Sequence, residues 1–106
     1  MENKVYKIFT ESEWNAFQES GQFEGSEDDL RDGFIHLSTK EQVDGVIDRF
    51  FSDRYPLFVA GFSGTDFRQH LKWETTVSGE DYPHLYGSKL LFSEVTSTVK
   101  LQISLG

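Results

Sequence analysis

The chain has 106 residues, of which 37% are hydrophobic and 15% aromatic, including 10 Phe. This length and composition support one domain with a single ring-rich core, and they exclude a disordered chain or two independent cores. The absence of cysteine excludes disulfides and thiolate metal sites. The formal net charge of -8 disfavours non-specific binding to nucleic acid or anionic lipid.

The start of the chain carries no targeting signal. Residues 1–4 lack the basic region and apolar run of a secretory signal, and no later stretch is long and apolar enough to cross a bilayer. We therefore expect a cytoplasmic protein that makes no contact with membranes, and we take it to be a monomer.

The first 21 residues predict a strand followed by a helix. Residues 5–9 alternate and are rich in β-branched and aromatic side chains, which is typical of a strand. Thr10 and Glu13 have the spacing of a capping box, and apolar residues follow at helical spacing. Gly21 is placed to stop the helix near residue 20.

An acidic loop, a short strand and a second helix follow. Residues 22–31 are rich in Glu, Asp, Gly and Ser and lack apolar periodicity, which predicts an exposed loop. Residues 34–37 are nearly continuous in apolar character, as in a strand that is buried on both faces. Ser38 or Thr39 looks like an N-cap, with Glu41 at capping-box distance from Ser38. Apolar residues then repeat at helical spacing as far as residue 51.

The remainder of the chain is predicted to be rich in strands. A buried strand is expected first, then a half-buried one, with a turn at residues 78–83 before the last segments. The expected extended segments are 57–62, 71–77, 84–87, 90–92 and, with apolar residues of one parity, 95–105. The predicted fold class is therefore α+β, with two main helices and a β-rich C-terminal third.

The first candidate site lies where residues 34–37 lead into the second helix. His36 has apolar neighbours on both sides, so its side chain lies on the other face of the strand, near backbone N–H donors of the helix N-terminus. Ser38 shares that face, and the two side chains suit a ribose hydroxyl, an amide or a phosphate. The alternative is a hydrogen-bonded core histidine beside a serine that only caps the helix.

A second candidate is the carboxylate of Glu74, which follows Trp73 on an alternating strand. A carboxylate beside a large ring suits a general base or a group that stabilises an oxocarbenium ion. The alternation places Lys72 and Glu74 on one face and Trp73 on the other, which favours a solvated, outward Glu74. Trp73 is also considered as a platform for a base or a nicotinamide ring.

A third candidate lies between Pro83 and Gly87, which bracket a short extended segment. His84 and Tyr86 are two residues apart and share one face, where they suit phosphate binding or proton transfer. The alternative is a turn whose tyrosine packs against the core.

Metal-binding and common catalytic motifs are not found in the sequence. The residues His36, His70, His84 and Asp66 come from distant segments and lack the spacing typical of zinc or iron centres. The sequence has no Gly-rich phosphate loop, no Gly-x-Ser-x-Gly elbow and no His-Glu-x-x-His pattern. We therefore expect no metal, and hydrolase and nucleotide-triphosphatase functions lose support.

The sequence combines a set of motifs that extends over nearly the whole chain: Val5-Tyr6-Lys7-Ile8, Trp14, Asp32-Gly33-Phe34-Ile35-His36-Leu37-Ser38-Thr39, Gln42-Val43, Arg49-Phe50-Phe51, Lys72-Trp73-Glu74 and Pro83-His84-Leu85-Tyr86-Gly87. Together these motifs resemble a bacterial family known only as domain-of-unknown-function family 952.

The resemblance implies an ADP-ribosyltransferase-like fold, in which a split β-sheet with helices forms a cleft that accepts NAD-like ligands. Segment 34–38, the helix after it and the strand at 56–59 are also similar to RNA 2'-phosphotransferases, with His36 and Ser38 among the matching residues. The first strand differs, because it reads Tyr6-Lys7-Ile8 where those enzymes have a Tyr-His-Gly-Thr-type motif. The basic residues that grip phosphorylated RNA have no visible counterpart in the sequence.

From these observations we predict a domain that binds a nucleotide or an NAD-like molecule. The reaction that fits such a cleft is group transfer at the ribose, with Glu74 and His36 as catalytic residues. NAD or a related nucleotide would be a substrate and not a resident cofactor. The alternative is a non-catalytic binding or regulatory module that retains the fold. The predicted ligand-binding residues are His36, Ser38, Thr39, Trp73, His84 and Tyr86.

Overall fold

The computed structural model describes residues 4–67 and 69–102. Within these ranges the chain is α+β, and the prediction of a strand-rich C-terminal part is confirmed. The strands are β1 (Lys4–Thr10), β2 (Gln22–Phe23), β3 (Ile35–His36), β4 (Leu57–Ser63), β5 (Leu71–Thr75), β6 (Asp81–Leu85), β7 (Leu90–Leu91) and β8 (Val95–Leu101).

Helical structure is divided among several short segments. The α-helices are α1 (Glu11–Ser20), α2 (Glu27–Asp32) and α3 (Val43–Val46). Single 3₁₀ turns lie at Lys40–Gln42, Gly64–Phe67 and Phe92–Glu94, and a π turn lies at Ile47–Phe51. None of the helices in the described ranges has the length and apolar character that crossing a membrane requires.

The strands of the described ranges pair as three antiparallel sets. Strand β4 lies between β1 and β8, strand β6 lies between β3 and β5, and β2 pairs with β7. A backbone bridge joins the first two sets: the N–H of Tyr6 donates to the carbonyl of Ser38 at 2.8 Å, and the N–H of Ser38 donates back at 2.9 Å. The segment after β3 is therefore held beside β1.

The core is built from aromatic rings, as the composition predicts. Phe9 of β1 and Phe17 of α1 are fully buried, and their rings stack with centroids 5.1 Å apart. Trp14 of α1 stacks on Phe58 of β4 at 5.5 Å. Offset ring contacts of this kind add to the free energy gained by burying apolar surface. They hold α1 against β1 and β4.

The boundaries predicted for the first helix are confirmed. The hydroxyl of Thr10 accepts a hydrogen bond from the backbone N–H of Glu13, and the Glu13 carboxylate accepts one from the Thr10 N–H at 2.9 Å. This reciprocal pair is the capping box expected from the sequence. Gly21 ends the helix with φ 81°, a left-handed conformation that glycine adopts without a Cβ clash.

The prediction of an exposed loop at residues 22–31 is wrong, because this segment contains β2 and α2. Ser26 caps α2: its side chain accepts from the Asp29 N–H at 3.1 Å, and the Asp29 carboxylate accepts from the Ser26 N–H at 2.9 Å. The prediction fails because it relied on apolar periodicity, whereas α2 buries the carboxylate of Asp29.

The second helix also differs from its prediction, which was one continuous helix. Between residues 40 and 51 the chain passes from a 3₁₀ turn to α3 and then to the π turn. Of the two predicted N-caps, Ser38 and Thr39, the structure uses Thr39, which lies one residue later than the Ser38–Glu41 spacing indicates. Gln42 Oε1 accepts from the Thr39 N–H at 3.0 Å, whereas the backbone of Ser38 is bonded to β1.

The strand predictions hold for β1 and β4 and need correction elsewhere, as at β6, which begins at Asp81 within the turn predicted for residues 78–83. Every residue of β4 is buried, as expected. Strand β3 is only two residues long, and His36 within it is half-buried. Strand β5 ends at Thr75, because the next residue begins a turn. Trp73, which the alternation places on an inward face, is 43% exposed. The end of the last predicted strand, residues 103–105, lies outside the described residues.

Gly61, in the middle of β4, leaves no room for a side chain. A Cβ atom added there would lie 2.5 Å from Ser97 Oγ and 2.9 Å from Tyr6 Cε2. We expect Gly61→Ala to lower the free energy of unfolding by about 1–3 kcal/mol, because overpacking displaces the neighbouring side chains. Urea unfolding followed by tryptophan fluorescence measures this change.

The matched control is Gly45→Ala in α3, where an added Cβ meets nothing within 4 Å. This substitution should raise the free energy of unfolding by up to about 1 kcal/mol, because alanine favours helix more than glycine does. If Gly61→Ala were as stable as the unsubstituted protein, the close packing of β4 against β1 and β8 would be contradicted.

Candidate functional site

A cleft of 410 Å³ lies where β1, α2, β3, β6 and the π turn converge. Its walls are rich in ionisable groups for a cavity of this size. Among the described residues, those that carry four cations, three carboxylates and two histidines are Lys7, Arg31, Arg49, Arg54, Asp28, Asp29, Asp32, His36 and His84. Such a lining is suited to a charged or strongly polar ligand.

The structure brings some of the predicted site residues into this cleft and leaves others outside. The predicted residues that line it are His36, Ser38 and His84. Those outside the lining are Thr39, Trp73, Glu74 and Tyr86. Thr39 begins the 3₁₀ turn at residues 40–42, and Trp73 is exposed on β5. Glu74 and Tyr86 are connected to the cleft through their contacts with His84.

A buried ion pair forms the base of one wall. Lys7 lies on the core-facing side of β1, between the fully buried Val5 and Phe9. Its ammonium group donates to Asp29 Oδ2 at 2.9 Å and to the carbonyl of His36 at 3.1 Å. The side chains of Lys7 and Asp29 are 7% and 2% exposed. Buried charges need such partners, because neither group is solvated by water.

His36 is held between two carboxylates of α2. Its Nδ1 lies 2.6 Å from Asp29 Oδ1, which also accepts from the backbone N–H of His36 at 3.1 Å. Its Nε2 lies 3.1 Å from Asp32 Oδ2. The predicted alternative of a hydrogen-bonded histidine therefore describes the ring's contacts, although the ring lines the cleft and its side chain is 39% exposed.

The carboxyl group of Asp29 stays ionised in this setting. Burial by itself raises the pKa of Asp29, but the hydrogen bond from His36 and the charge of Lys7 outweigh that effect. The backbone N–H of Ser26 contributes a further hydrogen bond. The pKa of Asp29 consequently lies well below its ordinary value.

Beside His36 the cleft is lined by His84, which is fixed by groups outside the cleft. Its Nδ1 lies 2.7 Å from Glu74 Oε1, and the hydroxyl of Tyr86 donates to the same oxygen at 2.5 Å. The ring stacks on Phe34, with centroids 4.1 Å apart and planes 24° apart. The prediction that Glu74 is merely solvated overlooks these cross-strand contacts.

The hydrogen bond between Tyr86 and Glu74 shifts the pKa values of both residues. The bond from Tyr86, followed by the one from His84, holds the pKa of Glu74 below its ordinary value. The same bond raises the pKa of Tyr86 above its ordinary value, because ionisation of the phenol would place two negative oxygens together. Glu74 is therefore a carboxylate that accepts from both neighbours.

The π turn supplies a wall of the cleft that sequence reasoning did not identify. Arg49, Phe50 and Phe51 are consecutive and all line the cleft, and the chain around them is wound more widely than an α-helix. The guanidinium of Arg49 donates to the hydroxyl of Tyr82 at 2.7 Å. The ring of Phe50 is 65% exposed.

Arg54 follows the π turn and also lines the cleft, with its guanidinium 5.3 Å from the centroid of Phe51. Within the described residues, neither Arg49 nor Arg54 forms an ion pair with a carboxylate, whereas Arg31 pairs with Asp28 at 3.1 Å. Arg49, within the π turn, and Arg54, after it, are therefore the cations of the cleft that lack a carboxylate partner among the described residues.

Two sequence signals could have located more of this site. Lys7 interrupts the apolar face of β1, and a lysine on a core face requires a buried partner. Ser26 and Asp29 have capping-box spacing, with Gly33 placed to end the helix, so α2 is detectable from its caps. No local signal pairs Lys7 with Asp29, because they are 22 residues apart.

The expectation of no metal site stays a prediction. In the described parts of the chain, no group of three or more His, Asp or Glu side chains is placed to hold a metal ion. His36 and His84 face different carboxylates, and His70 is not part of the cleft lining.

We expect Asp29→Asn to lower the free energy of unfolding by about 3–5 kcal/mol at neutral pH, because it leaves Lys7 buried without a counter-charge. Because the pKa of Asp29 is lower in the folded protein than its ordinary value of 3.8, the ionised carboxylate stabilises the fold above about pH 3.8. This contribution is lost as the pH falls toward the pKa of the folded state. The difference between the two proteins should therefore shrink below about pH 4. Urea unfolding at several pH values measures it.

Asp28→Asn is the matched control, because this neighbouring carboxylate is 67% exposed. Its effect should stay within about 1 kcal/mol, as for exposed ion pairs in general. Equal effects of the two substitutions, or a difference that does not depend on pH, would show that Asp29 is not a buried anion paired with Lys7.

The chain is similar in sequence and structure to a protein whose structure has been solved. The crystal structure of protein CC0527 from Caulobacter crescentus superposes with a TM-score of 0.88 at 39% identity, covering 96% of this chain and 89% of that chain. The solution NMR structure of CC0527 gives a TM-score of 0.83 at 39% identity, covering 97% and 88%.

No curated protein matches the chain. The model of a family described as protein of unknown function, DUF952, matches residues 8–98. This match spans most of the 106 residues and includes β3, the π turn and β6, which carry the cleft. The family resemblance seen in the sequence motifs is thereby confirmed, and the chain belongs to the DUF952 family.

Proposed function

We propose that this protein binds a small anionic molecule of the nucleotide class, such as an NAD-like ligand, in the cleft. The observation that carries the proposal is the pair of guanidinium groups of Arg49 and Arg54, which have no carboxylate partner in the described chain. In a protein of net charge -8, arginines that line a cleft and have no carboxylate partner among the described residues favour an anion there.

The other walls offer groups for the remaining parts of a nucleotide. Phe50 presents an exposed ring on which a base can stack. Ser38 and His84 supply polar atoms on the side of the cleft that β3 and β6 form. The volume of 410 Å³ falls in the range of about 300–1,000 Å³ that is typical of small-molecule sites.

The proposal includes an ADP-ribosyltransferase-like arrangement of the fold. The family resemblance supports it, and so does the split between the β1–β4–β8 and β3–β6–β5 sets. The Tyr6–Ser38 bridge joins these two sets beside the cleft. The nucleotide would thus lie at the junction of two strand sets, where polar groups from both can reach it.

Group transfer at the ribose, with His36 and Glu74 as catalytic residues, is the enzymatic form of the proposal. The second form is a binding or regulatory module without catalysis. The positions of these two residues favour the module without catalysis. Glu74 does not line the cleft, and both ring nitrogens of His36 already face carboxylates. Incubation with NAD separates the two forms, because released nicotinamide would indicate a transferase or glycohydrolase reaction.

Binding is tested by isothermal titration with ADP-ribose, AMP and NAD, and with inorganic phosphate as a minimal probe. We expect millimolar nucleotide to raise the melting temperature. Arg49→Gln and Arg54→Gln should each weaken nucleotide binding about tenfold, the loss typical of one charged hydrogen bond. Binding should also weaken as salt rises.

Lys40→Gln is the charge-matched control, because Lys40 is exposed and does not line the cleft. Its effect on the dissociation constant should be less than about twofold, given the screening of exposed charges. A protein whose melting temperature responds to none of the nucleotides would refute the proposal. An equal loss of affinity in the arginine and Lys40 variants would refute the assigned anion site.

A further inference from the structure

We infer that His84 is the residue of the cleft that accepts the proton or hydrogen bond of a ligand hydroxyl, and that Glu74 is the residue that positions it. The inference rests on the proposed function in one respect, namely that a ligand occupies the cleft. It assigns the acceptor role to His84 in place of His36, and it gives Glu74 a role from outside the cleft.

The contact between Glu74 and His84 determines which ring nitrogen carries the proton. Their strands are neighbours, with Lys72 of β5 opposite His84 of β6, so Glu74 lies diagonally across from the histidine. An ionised carboxylate can only accept hydrogen bonds, so the 2.7 Å contact requires a proton on Nδ1 of His84. In the neutral ring the lone pair is then on Nε2.

The surroundings of His84 leave Nε2 as its open atom. The residue is 8% exposed, and its ring is stacked against Phe34. Nε2 has no hydrogen-bond partner among the described residues. Within those residues no fully buried side-chain nitrogen or oxygen lacks a partner, so Nε2 must reach open space. The cavity that His84 lines is the cleft.

His36 is in the opposite situation, although the two residues are paired across β3 and β6 and their ring centroids are 5.7 Å apart. Carboxylate oxygens of Asp29 and Asp32 lie within 3.1 Å of its two ring nitrogens. Nδ1 is hydrogen-bonded to Asp29, and Asp32 Oδ2 lies within ion-pair distance of Nε2. A ligand hydroxyl that approaches Nε2 of His36 therefore meets the carboxylate of Asp32.

The position of His84 indicates the class of ligand hydroxyl it receives. Tyr82 is two residues before His84 on β6 and shares its face, and its hydroxyl accepts from Arg49. A hydroxyl bound at His84 Nε2 would thus lie on the same strand face as the group that holds the proposed anion site. A ribose, with hydroxyls close to its phosphate, has this combination.

The tautomer of His84 is tested without any ligand. Two-bond ¹H–¹⁵N correlation spectra of the imidazoles are recorded on ¹⁵N-labelled protein about two pH units above the ordinary histidine pKa of about 6.5. We expect the signals of His84 to show a protonated Nδ1 and an unprotonated Nε2. Glu74→Ala should shift the ring to a mixture of both tautomers. Tyr86→Phe is the control, because it removes the hydrogen bond from the Tyr86 hydroxyl to Glu74 and leaves the contact between Glu74 and Nδ1 of His84 in place.

The acceptor role is tested by comparing AMP with 2',3'-dideoxy-AMP in isothermal titration. We expect the unsubstituted protein to bind AMP about tenfold more tightly, the cost of an unpaired buried acceptor. His84→Phe should reduce this ratio to about one, and Glu74→Ala should reduce it while leaving the His84 ring present. Lys40→Gln, at an exposed residue outside the cleft lining, should leave the ratio at about tenfold.

Each outcome bears on a separate statement. A proton on Nε2 of His84 would overturn the assigned tautomer, whether or not a nucleotide binds. A ratio unchanged by both His84→Phe and Glu74→Ala would overturn the acceptor role while leaving nucleotide binding intact. Binding of neither nucleotide would refute the proposed function and the acceptor role together, even with the expected tautomer.

Discussion

The buried pair of Lys7 and Asp29 is the interaction on which the rest of this structure depends. One carboxylate joins three elements: Oδ2 accepts from Lys7 of β1 and from the backbone at the start of α2, and Oδ1 accepts from His36 of β3. The two side chains are almost fully enclosed, so a missing partner would leave a charge without hydration. This constraint sets the position of α2 against β1 and of His36 in the cleft.

Two walls of the cleft differ in how their charged side chains are paired. On the side of α2, the carboxylates of Asp28, Asp29 and Asp32 are each within ion-pair distance of a cationic or histidine side chain. On the side of the π turn, Arg49 and Arg54 contact aromatic rings, a hydroxyl and backbone oxygen. Within the described residues, the arginines of the cleft that lack a carboxylate partner therefore lie on one wall.

The order of the β3–β6–β5 set explains why the two histidines differ. Because β6 lies in the middle, His84 has His36 across one edge and the strand of Glu74 across the other. Phe34 contacts the rings of both histidines, at 4.6 and 4.1 Å, and so limits their movement. The histidine nearer α2 has carboxylates at both nitrogens, and the other has a carboxylate at Nδ1 alone. Register and strand order therefore determine which ring nitrogens of each histidine lie next to a carboxylate.

The sequence by itself determined the features that depend on neighbouring residues. Capping spacing placed α1, an apolar run placed β4, and strand alternation put His36 and Ser38 on one face. Only the tertiary structure decided which distant groups meet. The carboxylates that are hydrogen-bonded to the rings of His36 and His84 lie 7 and 10 residues away, on other elements. Arg49 lies within a π turn that has no local signature, and Arg54 follows it. Such contacts depend on strand register and on charges that burial forces to pair, and a linear pattern contains neither.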